Sequence, residues 1–412
     1  MARFATLGVY ISVPFCRSKC SYCNFASGVF GEERMARYVD RLLEEVHTAR
    51  ARARSWQTGL PGHVDTVYLG GGTPSLLQPE QLQQIFHALR QEFSIQANAE
   101  ITLECAPGQL SSALLETLPQ LGVNRVSLGV QSFVDAETMA VGRLHTHAQA
   151  LADIARLRSA GIGNINVDLI AGLPHQTETS WQHSLDQAIA TGVPHVSVYM
   201  LEVDEDSRLG RELLSGGQRY HANAVPEEAA IAAMYHTACE RLTSAGIAQY
   251  EISNFARKGW ESRHNERYWL RRPYLGLGMD AHSMLPGQDG RPRRVAMTDD
   301  LEAYLEQSAP PQITVVDRKA ALEEAWFLGL RRTQGVSLTG LDAEFGAGTM
   351  DMFRPALAEC EEDGLLEIIH GTARLTARGR LFSNEVFQRF LGADDAEDAS
   401  VSTRKQHQGA PT

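Results

Sequence analysis

Hydrophobic residues in the first half of the chain form short runs that alternate with stripes at helical spacing. The runs predict buried strands at residues 7–13, 64–69, 100–104, 125–129, 165–170 and 195–201. The stripes predict helices at residues 32–54, 82–89, 111–121, 148–160 and 178–190. Strands that alternate with helices pair in parallel, with the helices as crossovers. Six such repeats in an α/β chain predict an incomplete (β/α)6 TIM-like barrel rather than a closed barrel of eight.

The second half of the chain is less regular. We predict an irregular surface excursion at 201–226, a helix at 226–245, a short strand at 249–252 and a loop or linker at 286–300. Residues 317–391 predict a small α+β unit of winged-helix-like form. Its helices are expected at 318–330, 338–345, 350–363 and 378–391, and its two-stranded wing at 365–369 and 374–376.

These patterns divide the chain into four parts. Residues 1–225 are the predicted barrel core, 226–312 a core extension with a linker, and 313–391 the C-terminal domain. The remaining tail, 392–412, is rich in Asp, Ser and Gln and is predicted to be disordered.

Charge excludes some classes of function. A net charge of −12 disfavours general binding to nucleic acid, and the helices of the C-terminal domain carry many acids. We therefore expect that domain to serve packing or protein contact rather than DNA binding. We find no apolar leader and no apolar run long enough to span a bilayer, and the few, clustered cysteines suit a reducing compartment. A cytoplasmic location is expected.

Three of the six cysteines, Cys16, Cys20 and Cys23, lie within eight positions directly after the first predicted strand. Thiolates this close favour one soft metal centre. A zinc site would need a fourth ligand nearby, whereas three cysteines on a four-iron cluster leave one iron open for another molecule. We therefore predict a [4Fe–4S] cluster.

Further candidates follow the other strands. Gly71, Gly72 and Thr73 form a turn after the second strand, where an absent side chain lets backbone approach a ligand. Glu104, Gln131 and Asp168 lie near the ends of the third, fourth and fifth strands, and Arg143 follows. The carboxyl ends of parallel strands share one edge, so these residues are expected on one face.

The Cys-x3-Cys-x2-Cys spacing with Tyr22 before the last cysteine, and the Gly-Gly-Thr-Pro turn, resemble the radical S-adenosylmethionine (SAM) superfamily. The resemblance implies that SAM occupies the open iron. In the branch that contains oxygen-independent coproporphyrinogen III dehydrogenase, it implies SAM contacts at the positions matched here by Tyr10, Glu104, Gln131, Arg143 and Asp168.

Within that branch, residues 5–390 most resemble the HemW-type haem chaperones. The dehydrogenase has a fourth cysteine where this chain has Phe25, and a longer segment before the first cysteine. His264-Asn265-Glu266-Arg267-Tyr268-Trp269 matches the HemW motif His-Asn-x-x-Tyr-Trp. His264 is thus a candidate to ligate or line haem, with a buried structural histidine as the alternative.

The resemblance implies a haem chaperone that holds a [4Fe–4S] cluster, SAM and haem. It implies transfer of haem to apoproteins, with respiratory proteins, including membrane-associated ones, as expected recipients, and dimerisation when cluster and SAM are bound. The alternative is a radical SAM oxidoreductase, the coproporphyrinogen III dehydrogenase itself. The sequence leaves open whether SAM is cleaved.

Overall fold

The computed structural model describes residues 6–392 and divides the chain into two compact units. The first comprises residues up to 249, 253–267 and 272–315, and the second comprises 250–252, 268–271 and the residues from 316 onward. No helix within residues 6–392 is both long and apolar enough to cross a bilayer. The predicted tail falls at 393–412, outside the described residues, apart from Gly392.

The first unit is built on one sheet whose centre is six parallel strands in sequential order. They are β1 Thr6–Val13, β2 His63–Gly71, β3 Ser94–Cys105, β4 Arg125–Gln131, β5 Asn164–Ala171 and β6 His195–Met200. The crossovers include α1 Glu32–Ser55, α2 Pro79–Glu92, α3 Ser112–Gln120, α4 Asp135–Ala140, α5 His147–Ser159 and α6 Glu178–Thr191. Side chains of Ser111, Thr146 and Thr177 accept backbone N–H bonds at three helix starts, as N-caps do. The predicted α/β fold with six repeats is confirmed.

Additional strands extend both edges of the sheet. The added elements are α7 Arg208–Ser215, α8 Glu228–Ser244, β7 Ala248–Gln249, β8 Asn254–Ala256, α9 Arg263–Trp269, β9 Tyr274–Leu277, β10 His282–Leu285, β11 Arg293–Ala296, α10 Leu301–Glu306 and β12 Gln312–Val315. Across the described residues the strand order is β12-β11-β10-β9-β1-β2-β3-β4-β5-β6-β8-β7, so hydrogen bonds do not close a barrel. Strand β9 runs parallel to β1, whereas β10, β11 and β12 run antiparallel to their neighbours.

Three sequence predictions need correction here. The excursion at 201–226 contains α7 and a 3-10 turn at Ala222–Ala224. The segment at 286–300 is not only a loop, because β11 lies in it and pairs with β10. The short strand expected at 249–252 ends at Gln249, and β8 follows it.

The two faces of the parallel strands differ in polarity. One face is apolar: Leu7, Val9 and Ile11 of β1 lie on it, at alternate positions of the strand, and are fully buried. The opposite face carries buried polar side chains in lateral register, among them Thr66 beside Glu100 and Ser127 beside Asn166. Most buried polar groups in proteins have hydrogen-bond partners, and here Asn166 donates to Ser127, Asp168 and Ser197. This face therefore holds a connected polar interior, and the candidate site lies at its carboxyl end.

The second unit has its own aromatic core, in which Trp326 stacks on Phe390 with ring centroids 4.5 Å apart. Its sheet has the order β13-β15-β14. The helix expected at 378–391 is broken at Phe382, and the one expected at 350–363 begins as a 3-10 turn, Thr349–Phe353. The elements are α11 Arg318–Leu330, β13 Val336–Ser337, α12 Leu338–Phe345, α13 Arg354–Glu362, β14 Leu366–Ile369, β15 Thr372–Leu375, α14 Ala377–Leu381 and α15 Ser383–Gln388.

Candidate cofactor site

The three predicted cysteine ligands lie on one loop that leaves the carboxyl end of β1. Cys16, Cys20 and Cys23 are free and half-buried. Burial raises the pKa of the Cys23 thiol, and Cys20 and Cys16 nearby raise it further. Within residues 6–392, no three His, Cys, Asp or Glu side chains are arranged to hold a single metal ion. Three free thiols that interact electrostatically on one loop are a donor set that fits an iron–sulfur cluster.

The cysteine loop is anchored by backbone hydrogen bonds to its own later part and to two other segments. At its start, the Cys16 N–H donates to the carbonyl of Gly28 at 2.8 Å. In its middle, the Ser21 N–H donates to Val141 at 3.1 Å, and the Ser21 carbonyl accepts from Leu209 of α7 at 2.8 Å. The loop is thus held between the segments that follow β4 and β6.

The glycine turn after β2 is attached to the same loop. The N–H groups of Gly72 and Thr73 donate to the carbonyls of Val13 and Phe15 at 2.8 and 2.7 Å. A Cβ on Gly72 would lie 2.6 Å from the Phe15 oxygen, which only glycine avoids. Gly71 has φ +102°, which also favours glycine. The glycines therefore allow close approach of the turn to the first strand.

Glu104 lies near the end of β3 and accepts a hydrogen bond from the Tyr68 hydroxyl at 2.8 Å. Burial raises the pKa of Glu104 from 4.5 to about 7; the Tyr68 hydrogen bond opposes this shift and the charge of Asp168 adds to it. Tyr10 stacks on Tyr68 with centroids 6.0 Å apart, and burial and the Glu104 charge raise the Tyr10 pKa. Tyr10, Glu104 and Asp168 therefore share one electrostatic environment.

Asp168 is held in place by polar neighbours on β4 and β5. Its two oxygens accept from Asn166 Nδ2 at 2.7 Å and from Ser127 Oγ at 3.1 Å. Burial raises the pKa of Asp168, although the hydrogen bonds from Ser197, Asn166 and Ser127 lower it. The carboxylate is fixed before any ligand arrives, as a binding group should be.

Arg143 and Gln131 lie together on the β4 side of the site. Both side chains come within 3.5 Å of the point where a Cβ on Gly129 would stand. Gln131 has φ +68°, a conformation that is uncommon outside glycine and concentrates at functional sites. The Arg143 guanidinium donates to the Tyr22 hydroxyl at 3.2 Å, and its Nε is buried without a hydrogen-bond partner among the described residues. A buried, unpaired N–H next to the cysteine loop fits a carboxylate ligand.

His264 is not brought to this edge of the sheet. It is 1% exposed, and its Nδ1 lies 2.9 Å from Thr66 Oγ1, nearer the amino end of β2. Its backbone N–H donates to Glu100 at 3.0 Å, and its ring packs 5.2 Å from the Tyr68 ring. Burial lowers the pKa of His264 to about 3, so the ring is neutral at physiological pH. His264 thus lies beneath Tyr68, which in turn holds Glu104.

Sequence reasoning missed the residues that support the ligand-facing ones. Tyr68 orients Glu104, and Ser127, Asn166 and Ser197 surround Asp168. A usable signal was present, because these polar residues recur at every second position within apolar strands.

Comparison with known proteins places this arrangement in a family. Residues 10–188 match the Radical SAM superfamily, and residues 316–382 match the HemN C-terminal domain. The heme chaperone HemW of Bacillus subtilis is 34% identical over 389 residues, which cover 93% of this chain and 98% of that protein. HemW of Escherichia coli is 31% identical over 403 residues, covering 95% and 100%.

A solved structure supports the fold. The coproporphyrinogen III oxidase HemN of Escherichia coli, a radical SAM enzyme, superposes with a TM-score of 0.80 over 94% of this chain and 90% of that chain. Its sequence identity is 23%, so this likeness concerns the fold alone. Together with the near full-length relationship to the HemW proteins, these matches show that the chain belongs to the radical SAM superfamily and, within it, to the family of the HemW haem chaperones.

Proposed function

We propose that this protein is a haem chaperone, which binds haem and passes it to haem-requiring apoproteins, respiratory proteins among them. The observation that carries the proposal is the relationship to HemW haem chaperones over almost the whole of both chains, at 34% and 31% identity. The fold likeness to HemN does not favour the oxidoreductase alternative, because identity of 23% leaves the activity open.

The cysteine loop is proposed to hold a [4Fe–4S] cluster through Cys16, Cys20 and Cys23. A bound cluster would supply an open iron that the amine and carboxylate of SAM could chelate. The chain's own residues would do the rest of the binding. Arg143 offers a buried N–H to a carboxylate, and Glu104 and Asp168 offer fixed acceptors for hydroxyl groups. The proposed SAM contacts are Tyr10, Tyr22, Gly71, Gly72, Thr73, Glu104, Gln131, Arg143 and Asp168.

The electrostatics of this site suit a ligand that carries a positive sulfonium. Glu104 and Asp168 are carboxyl groups whose pKa values burial raises, so ionising them is unfavourable until a cation is present. Binding a cation would offset that cost. We propose that SAM binding and ionisation of Glu104 are coupled.

We also propose a cytoplasmic protein that forms a dimer when cluster and SAM are bound. The six cysteines all lie within residues 6–392 and form no disulfides there, as is usual for thiols in a reducing compartment. Size-exclusion chromatography of the apo and reconstituted protein tests this proposal. We expect a species of dimer size only after reconstitution with cluster and SAM.

Two anaerobic assays on reconstituted protein test the function. Haem titration should give a saturable Soret shift, and transfer to an apo-haem protein should follow. Incubation with SAM, a reductant and coproporphyrinogen III should give no protoporphyrinogen. Formation of that product would refute the chaperone proposal, and absence of haem uptake would do the same.

The cluster assignment has its own test. Replacing Cys16, Cys20 and Cys23 with Ala should abolish the brown iron–sulfur absorbance, whereas Cys239→Ala, at a half-buried thiol on α8, should leave it unchanged. Persistent colour in the triple variant would contradict the metal assignment.

A further inference from the structure

A polar pocket opens beside Cys23, outside the residues assigned to SAM. Its volume is about 440 Å³. Its lining contains the three cations Lys19, Arg208 and Arg211 and the two carboxylates Asp204 and Asp206. Cys23, Asn24 and Ser207 complete it. Apart from Cys23, a proposed cluster ligand, none of these side chains is used by the proposed cluster and SAM site.

The cations of the pocket are positioned by backbone carbonyls. Lys19 Nζ donates to the Phe25 oxygen at 3.1 Å, Arg208 donates to the Lys19 oxygen at 3.4 Å, and Arg211 Nε donates to the Asp206 oxygen at 3.0 Å. Within residues 6–392, none of the three forms an ion pair with a carboxylate. Their positive charge is therefore available to an anionic ligand.

The two carboxylates of the lining offset part of its positive charge. Asp204 accepts from Asn24 Nδ2 at 3.0 Å and from the Asp206 N–H at 2.7 Å, so it builds the loop that forms the pocket wall. These bonds lower the pKa of Asp204, and it is ionised. Asp206 is the second anion. Against three cations, the lining keeps a net positive charge.

Exposed apolar side chains neighbour the lining residues along the chain. Phe25, next to the lining residue Asn24, is 62% exposed. Leu214 lies one turn after Arg211 on α7 and is 68% exposed, and Leu213 is 55% exposed. Arg208, Arg211 and Leu214 are three apart, so one face of α7 presents two cations and then an apolar side chain. A polar pocket whose lining residues have exposed apolar neighbours is typical of a binding site.

We propose that this pocket binds the propionate carboxylates of haem, while Phe25 and Leu214 contact the apolar macrocycle. The ligand must combine anionic groups with a broad apolar body, and haem has two carboxylates on one edge of an otherwise apolar ring. Arg208 and Arg211 donate to carboxylates in a planar fork, and Lys19 adds a point charge. The inference rests on the proposed function and specifies where the haem lies: beside the cysteine loop and not at His264.

The test compares two ligands on reconstituted full-length protein. Haem and its dimethyl ester, in which both propionates are neutral, are titrated against wild type and Arg208→Glu/Arg211→Glu and followed by the Soret band. The double variant should bind haem at least about tenfold more weakly, with ester affinity within about twofold of wild type. Arg17→Glu reverses the charge of an exposed arginine on the cysteine loop, outside the pocket lining, and is the control; it should bind haem within about twofold of wild type.

The outcomes separate this proposal from the function itself. Wild type that takes up no haem refutes both. Wild type that binds haem while the double variant binds it equally well refutes only the pocket. Ester that binds wild type as tightly as haem also refutes the pocket. Cluster absorbance and circular dichroism monitor folding; if the double variant is unfolded, Arg208→Gln and Lys19→Gln singly should each lower haem affinity about threefold.

Discussion

Replacing Glu104 with Gln should stabilise the fold and weaken SAM binding at the same time. Burial raises the pKa of this carboxyl from 4.5 to about 7. An unfolded chain ionises the group near 4.5, so between about pH 4.5 and 7 the native state binds more protons. The free energy of unfolding therefore falls as pH rises through this window and is lowest above it. At pH 8 the raised pKa lowers the free energy of unfolding by about 3 kcal/mol, since one pKa unit corresponds to about 1.4 kcal/mol.

Gln removes the ionisation while keeping an oxygen that can accept from the Tyr68 hydroxyl. At about pH 8 the free energy of unfolding of the apo variant should exceed that of wild type by up to about 3 kcal/mol. At about pH 5 the difference should be small. Apo protein without cluster or SAM is used for this comparison, so that no ligand contributes. The readout is the difference in apparent melting temperature between variant and wild type at the two pH values.

SAM affinity should show the opposite trend with pH. If the carboxylate is the binding form, a pKa of about 7 contributes a factor of about ten to the loss of wild-type SAM affinity between pH 8 and pH 6. The Gln variant should bind more weakly at pH 8 and should lack this factor. It should keep only the pH dependence that comes from the amine of SAM, which must lose a proton to bind iron, and from Asp168. Equilibrium dialysis on reconstituted protein measures this. A variant that is no more stable at pH 8, or that keeps the wild-type pH dependence, would refute the argument.

Three further substitutions probe other parts of the site. Gly72→Ala should lower the free energy of unfolding by about 1–3 kcal/mol and loosen the cysteine loop, because the new Cβ would lie within 3 Å of the backbone of Val13 and Phe15. Thermal melts measure the loss, and Gly59→Ala, whose Cβ would have no atom within 4 Å, is the neutral control. Arg143→Lys keeps the charge but loses the fork, so SAM affinity in dialysis should fall about tenfold while cluster absorbance persists. His264→Ala should weaken SAM binding through Tyr68, on which its ring packs, and leave haem stoichiometry unchanged in a Soret titration. Loss of haem binding with SAM binding intact would contradict the inference that haem lies away from His264.

The parallel core was predictable because its pattern is redundant. Each strand of the core is an apolar run followed by a helix, and the residues that end the strands must meet at one edge. That logic was enough to bring Glu104, Gln131 and Asp168 into one prediction with the cysteine loop.

The elements that the sequence did not predict lack such redundancy. All four residues of β12 are exposed, so this edge strand has no alternation between buried and exposed positions to detect. Helix α7 has eight residues and includes Gly210, whose Cβ would collide with the Asp204 backbone. Its position depends on the bond between Leu209 and Ser21, a contact that no local pattern encodes. Tertiary contact, rather than propensity, decides short elements of this kind.

A substitution among the buried carboxylates would disturb more of the structure than a substitution in the pocket. At the carboxyl edge of the sheet each carboxylate is fixed by another buried side chain, Glu104 by Tyr68 and Asp168 by Asn166, so a change in one residue disturbs its neighbours. In the pocket, Lys19 and Arg208 are held by backbone carbonyls, and their replacement leaves no buried group without a partner. A change of residue in the pocket therefore disturbs the proposed SAM site less than a change among the carboxylates does. We expect the difference between a protein that carries haem and one that makes its precursor to lie at exposed positions such as Phe25 rather than among the proposed SAM contacts.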